Sequence, residues 1–212
     1  MAEQKIIINI GRQLGSGGRI IAKILAQKFG CAFYDKEILN LAAKESGFSE
    51  KFFEQHDEHW LFFKSLFHMH TQHVSDNNFY TNRFSQESLF QFQADAILKA
   101  AKEGSCVFVG RCADYILRDC DETVVNIFVT ANLEDRIALV MERHHCDKDS
   151  AKKIIETKES NRASYYNYFT GKKWGHSQSY DLCVNSSILG LEGTADFISI
   201  FIQKRLSRQF GK

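Results

Sequence analysis

Gly11-Arg12-Gln13-Leu14-Gly15-Ser16-Gly17-Gly18-Arg19 stands between two stretches of different hydrophobic period. Before it, Lys5-Ile6-Ile7-Ile8-Asn9-Ile10 is a nearly unbroken apolar run, as a parallel strand buried on both faces requires. After it, Ile20, Ile21, Ile24 and Leu25 recur at helical spacing and predict a helix to about Lys28 that stops at Gly30. Strand, glycine-rich turn and helix in this order bring backbone N–H groups to a helix N-terminus, where they can meet phosphate. The stretch is neither G-x-G-x-x-G nor an intact G-x-x-x-x-G-K-[ST] loop, because Gly18 occupies the lysine position; Arg12 and Arg19 are the cations at hand. A tight turn with solvated arginines would use the same residues, so the local pattern leaves both readings open.

Outward from this stretch, Cys31-Ala32-Phe33-Tyr34 reads as a second strand, and Asp35 opens a helix whose apolar side holds Ile38, Leu39, Leu41 and Ala42. Further on, Ser105–Val109 and Val124–Val129 are central strands, a helix carries Leu133, Ile137 and Val140, and Leu182–Asn185 is a last strand before a helix from about Gly193 to Phe210. The alternation predicts a three-layer α/β domain with a parallel sheet, formed by residues 1–45 and 103–212. Residues 46–102 break the pattern: Phe52, Phe53, Trp60, Phe62, Phe63 and Phe67 crowd a helical insert, followed by a polar joint from Thr71 to Ser85. The insert's aromatic residues suit an inward core, a homodimer surface or the face of another partner.

The 212 residues make one medium domain plus an insert, long enough to fold without disulfides or a structural metal. The six cysteines are widely spaced and read as buried free thiols. There is no proline, which removes polyproline tracts and stiff Pro-rich linkers. A formal charge of +1 gives no global drive toward nucleic acid. The N-terminus lacks a signal-peptide core and no membrane-spanning apolar run occurs, so a cytoplasmic protein without a membrane partner is expected. His68, His70 and His73, and likewise His144, His145 and Cys146, lack the spacing of a zinc site. No G-x-S-x-G elbow occurs, so serine hydrolysis is a poor fit.

In an open α/β sheet the strand ends face the ligand crevice, which brings Asp35 and Arg111 toward the first loop. Arg111 can grip phosphate with two donors; Asp35 can hold Mg²⁺ through water or orient an acceptor. Alternatively, Asp35 caps a helix and Arg111 pairs with Asp114 or Asp119. The charged, tyrosine-rich segment from His144 to Trp174, with Arg143 just before it and Arg162 inside it, suits either a closing phosphate clamp or a solvated salt-bridge face.

Taken with Phe33-Tyr34-Asp35-Lys36-Glu37, Gly110-Arg111-Cys112-Ala113-Asp114, Ala131-Asn132-Leu133-Glu134-Asp135-Arg136, Arg162-Ala163-Ser164-Tyr165-Tyr166 and the stretch from Tyr168 to Leu182, the loop resembles the cytidylate kinase-like family along nearly the whole chain. The resemblance implies a P-loop nucleoside-triphosphate-hydrolase-like fold with a lid at about 143–175, and an acceptor-binding role for residues 46–102. It implies transfer of the γ-phosphoryl group of ATP to a nucleoside monophosphate, CMP or dCMP foremost, with Mg²⁺. By the same resemblance Gly15, Ser16, Gly17, Gly18 and Arg19 lie at the ATP phosphates, and Arg111 holds the acceptor phosphate. On this reading Asp35, Asp114, Glu159 and Arg162 would serve the acceptor side, Arg12, Arg19, Arg143 and Arg162 would stabilise transfer, and Asp35 or Asp114, with Ser16, would serve Mg²⁺. Gly18 stands where cytidylate kinases carry the loop lysine, which motivates two alternatives: a nucleotide-binding regulatory module, or a kinase of another small metabolite.

Overall fold

The computed structural model describes residues 5–35 and 86–209. Five parallel strands form one sheet in the order β2-β3-β1-β4-β5, with β1 at Ile6–Arg12, β2 at Ala32–Tyr34, β3 at Cys106–Val109, β4 at Thr123–Thr130 and β5 at Leu182–Asn185. Six helices accompany them among the described residues: α1 (Gly18–Phe29), α2 (Gln86–Glu103), the single turn α3 (Ala113–Ile116), α4 (Leu133–His144), α5 (Lys148–Thr170) and α6 (Ser186–Gln209).

The apolar run of β1 is buried from Ile6 to Ile10 because it lies between two strands and under both faces. Ile8 pairs with Val107 and Val125, and Ile10 with Val109 and Ile127. These residues form a core with Ile21, Ala22 and Leu25 of α1 and with Ala195, Ile198 and Ile202 of α6. The opposite face carries Asn9, Phe108 and Phe128, with Trp174 and Tyr180 packed on the Phe128 ring. β1 runs two residues further than its apolar pattern indicates, pairing Gly11 with Phe128 and Arg12 with Val129. Gly11 permits this because a Cβ there would lie 2.7 Å from the Phe128 ring. Arg12 is thereby a strand residue on the same face as Ile8 and Ile10.

Gly30 ends α1 as expected, in the left-handed region at φ +61°, its N–H turned back to the carbonyls of Ala26 and Gln27. α6 starts at Ser186, well before Gly193, and is broken at Gly190, where φ is +68°. The turn ahead of that break follows β5 directly, which periodicity did not reveal. Residues 143–175, expected to form the lid, contain the 23-residue α5. Its N-terminus is capped by Asp147, which accepts from the Ser150 N–H at 2.7 Å. α4 and α5 form a helical hairpin around Ile137, Val140, Ala151 and Ile155, joined through His145 at φ +50°.

The chain divides into two compact units, residues 1–35 with 100–212 and residues 36–99, where composition pointed to an insert at 46–102. The aromatic interval, the histidines at 68, 70 and 73 and the joint from Thr71 to Ser85 lie outside the described residues. All six cysteines are free; Cys106 and Cys112 are buried as expected, whereas Cys183 on the terminal strand β5 is exposed. No helix among the described residues is long and apolar enough to cross a membrane.

Candidate functional site

The glycine-rich stretch curls over the N-terminus of α1. Gly15 and Gly17 take φ of +82° and +71°, conformations open to glycine and strained for other residues. A Cβ on Gly15 would sit 2.8 Å from the Arg136 carbonyl oxygen, and one on Gly17 would collide with Leu191. The first α1 bonds run from Ile20 and Ile21 to the Gly17 carbonyl, so the N–H groups of Gly18 and Arg19 stand outside the helical ladder. Ser16 is buried, and its hydroxyl donates to the Gln13 carbonyl at 3.0 Å. From behind, Ser186 Oγ lies 2.7 Å from the Ser16 carbonyl oxygen and 3.0 Å from that of Thr130, tying the loop to the start of α6.

An ion pair grips the backbone of one residue of this loop, Leu14, at both its N–H and its carbonyl. Arg136 Nε donates to the Leu14 carbonyl at 2.8 Å, the Leu14 N–H donates to Glu159 Oε1 at 3.1 Å, and Arg136 Nη2 meets that same carboxylate oxygen at 2.6 Å. Glu159, expected on the acceptor side, therefore holds the loop backbone. Three residues along α5, Arg162 Nη1 donates to the Arg12 carbonyl at 3.2 Å. Burial pulls the Arg162 guanidinium below its usual range. The carboxylates of Glu159 and Asp35 oppose that shift, and the charges of Arg111 and Arg136 add to it. These five residues, drawn from four separate segments of the chain, thus share one field.

Asp35, at the end of β2, is buried between two arginines, with Arg19 Nε at 2.5 Å and Arg12 Nη2 at 3.8 Å. Arg111 follows β3 in a run of three left-handed residues, Gly110, Arg111 and Cys112, at φ +76°, +63° and +55°. Such strain in non-glycine residues concentrates where a side chain must be aimed. Asp114 is buried and accepts from the Tyr166 hydroxyl at 2.6 Å. Burial raises its carboxyl above the ordinary range, against the Tyr166 hydrogen bond and the Lys172 charge. Arg143 is exposed in the last turn of α4, about 10 Å of helix rise beyond Arg136.

Of the residues expected at Mg²⁺, Ser16 and Asp35 each have a protein partner. The Ser16 hydroxyl is turned into its own loop and the Asp35 carboxylate is shared by Arg12 and Arg19. Among the described residues no group of three His, Cys, Asp or Glu side chains could hold a metal ion.

The model of the cytidylate kinase-like family matches residues 7–188, a span that holds the loop, the Leu14 clamp, Arg111 and Arg162. The chain belongs to that family. It is 26% identical over 195 residues to a cytidylate kinase of Pyrococcus horikoshii, covering 91% of this chain and 86% of the relative. It is 28% identical over 204 residues to a cytidylate kinase of Methanocaldococcus jannaschii, covering 92% and 96%. Among solved structures, an uncharacterized protein from Eubacterium ventriosum superposes with a TM-score of 0.71 at 27% identity, over 94% of this chain and 99% of the other. A shikimate kinase from Bacteroides thetaiotaomicron has a TM-score of 0.52 at 10% identity, over 93% and 98%, a likeness of fold alone. The family match and the two relatives support a nucleotide-kinase-like function in general.

For this member of the cytidylate kinase-like family, residue-by-residue reading missed Arg136, Ser186 and Leu191. An arginine in the first turn of a helix, where the dipole disfavours a cation, is an oddity that could have marked Arg136. Ser186 follows a strand end, the place where crevice residues gather. Nothing local marks Leu191.

Proposed function

We propose that the protein transfers the γ-phosphoryl group of ATP to a nucleoside monophosphate, with CMP or dCMP as first candidates. The carrying observation is the glycine-opened loop at the α1 N-terminus, with arginines from β1 and α5 meeting on it. Backbone N–H groups of Gly18 and Arg19 suit triphosphate oxygens, and Arg12, Arg19, Arg111 and Arg162 supply charge for a transition state whose negative charge is spread over three oxygens. Ile188 and Leu189, both exposed just beyond Ser186, offer apolar surface for a nucleobase. Transfer is in-line and direct, with no covalent enzyme intermediate. When bound, Mg²⁺ would neutralise part of the phosphate charge, with Ser16 and Asp35 the residues that would hold it or its waters.

Purified protein incubated with ATP, Mg²⁺ and each of CMP, dCMP, UMP, AMP and GMP is expected to form a diphosphate from CMP or dCMP. No diphosphate from any of the five overturns this substrate class. A second reading, a nucleotide-binding regulatory module, draws on Gly18 in place of lysine and on the engagement of Arg12 and Arg19 with Asp35; ATP binding without turnover would favour it. Turnover with an unrelated small acceptor alone would favour a metabolite kinase.

A further inference from the structure

Two glycines from different elements are shaped around one side chain. A Cβ at Gly18 would stand 2.6 Å from Arg12 Cβ and 3.2 Å from Arg12 Cγ, with Val129 Cβ 3.4 Å away. A side chain leaving residue 18 therefore meets the stem of Arg12. At the other end, a Cβ on Gly110 would collide with Arg12 Nη1 and lie 3.4 Å from Cζ, and the φ of +76° there already disfavours any other residue. The stem of Arg12 thus passes Gly18, and its guanidinium lies over Gly110 and faces Asp35 at 3.8 Å. Its backbone is held by β4 pairing and by Arg162 on its carbonyl.

Arg19 is placed differently. Its side chain is 52% exposed against 22% for Arg12, and its Nε points into the Asp35 carboxylate. A cation confined on several sides loses less rotamer freedom when it grips an anion. Gly18 is therefore more than a missing lysine, because the space such a lysine would enter is already used.

We infer that Arg12 is the cation that meets the triphosphate in place of a lysine at residue 18, and that Gly18 and Gly110 are its seat. This rests on the nucleotide reading of the loop and deepens it by choosing between the two arginines. It has a further consequence: arginine at 12 and lysine at 18 exclude one another, so a lysine installed at 18 is harmful unless residue 12 gives way.

Binding of a fluorescent ATP analogue, with inorganic tripolyphosphate as competitor, tests the assignment without depending on turnover. Arg12→Gln should weaken ATP about ten-fold or more, as expected for loss of a charge-assisted contact, and Arg19→Ala by a smaller factor. Gly18→Lys alone should bind more weakly than wild type. Arg12→Gly combined with Gly18→Lys should bind more tightly than Arg12→Gly alone. A melting curve for each variant confirms the fold, and Arg12→Lys, which keeps charge but loses the fork, should fall between wild type and Arg12→Gln. Unchanged affinity in Arg12→Gln, or tighter binding by Gly18→Lys alone, overturns the inference while leaving the nucleotide reading standing. Wild-type protein that binds neither ATP nor tripolyphosphate overturns the nucleotide reading itself, and the inference with it.

Discussion

At residue 17 the backbone takes a φ of +71° while the side chain of Leu191 fills the space where a Cβ would go. Gly17→Ala combines left-handed strain with a steric collision, so a loss of about 1–2 kcal/mol in urea unfolding is expected, before any effect on nucleotide binding. An unchanged denaturation midpoint would show that Leu191 yields freely. The glycines were legible in the sequence as the mark of a turn. What each glycine makes room for was not: Gly15 for the first turn of α4, Gly17 for Leu191, and Gly18 for Arg12. Those neighbours come from segments more than a hundred residues away, or from a strand end that periodicity placed two residues too early.

Between elements, the Arg136–Glu159 pair joins the α4–α5 hairpin to the Leu14 backbone. Arg136 is buried and Glu159 is nearly so, at 6% and 19% side-chain exposure, so removing the acid strands a cation. Glu159→Ala should cost about 3 kcal/mol in unfolding free energy, with weaker ATP binding because Leu14 loses its hold. Stability near that of wild type would mean the pair is solvated. Asp114 links α3 to α5 through the Tyr166 hydroxyl, and burial favours its protonated form. A carboxyl whose folded-state pKa is raised contributes most at low pH, and that contribution is lost as pH rises through the raised value. Asp114→Asn keeps an acceptor for Tyr166 and removes the ionisation, so the variant should gain on wild type as the pH is raised from about 4. Urea midpoints that change in parallel across that range would contradict this.

Across the whole molecule, burial grades the reactivity of the six thiols. Burial pushes the Cys106 thiol up to about 12, with Cys31 and Cys120 adding, and raises Cys112 as well; it raises Cys183 too, but that thiol alone is exposed. Iodoacetamide at mildly alkaline pH, read by peptide mass spectrometry, should label Cys183 in the native protein and reach Cys106 and Cys112 only after denaturant; early labelling of either would show that the sheet opens there. The five strands, α1 and α4, the apolar faces of β1, β3 and β4 and the glycine-rich turn followed from the sequence by itself, because period and glycine placement are local properties; α3 and the long α5 did not. The sequence also placed polar residues at strand ends without showing which would meet. Only the tertiary structure decided that the Arg12 stem fills the space a side chain at residue 18 would enter, that Arg136 is buried at the loop, that Glu159 holds backbone, and that α6 begins at Ser186 and breaks at Gly190. The reason is physical: strand order, crossover and register bring residues as far apart as 12, 110 and 162 together, and none of these is encoded in the neighbourhood of any one of them.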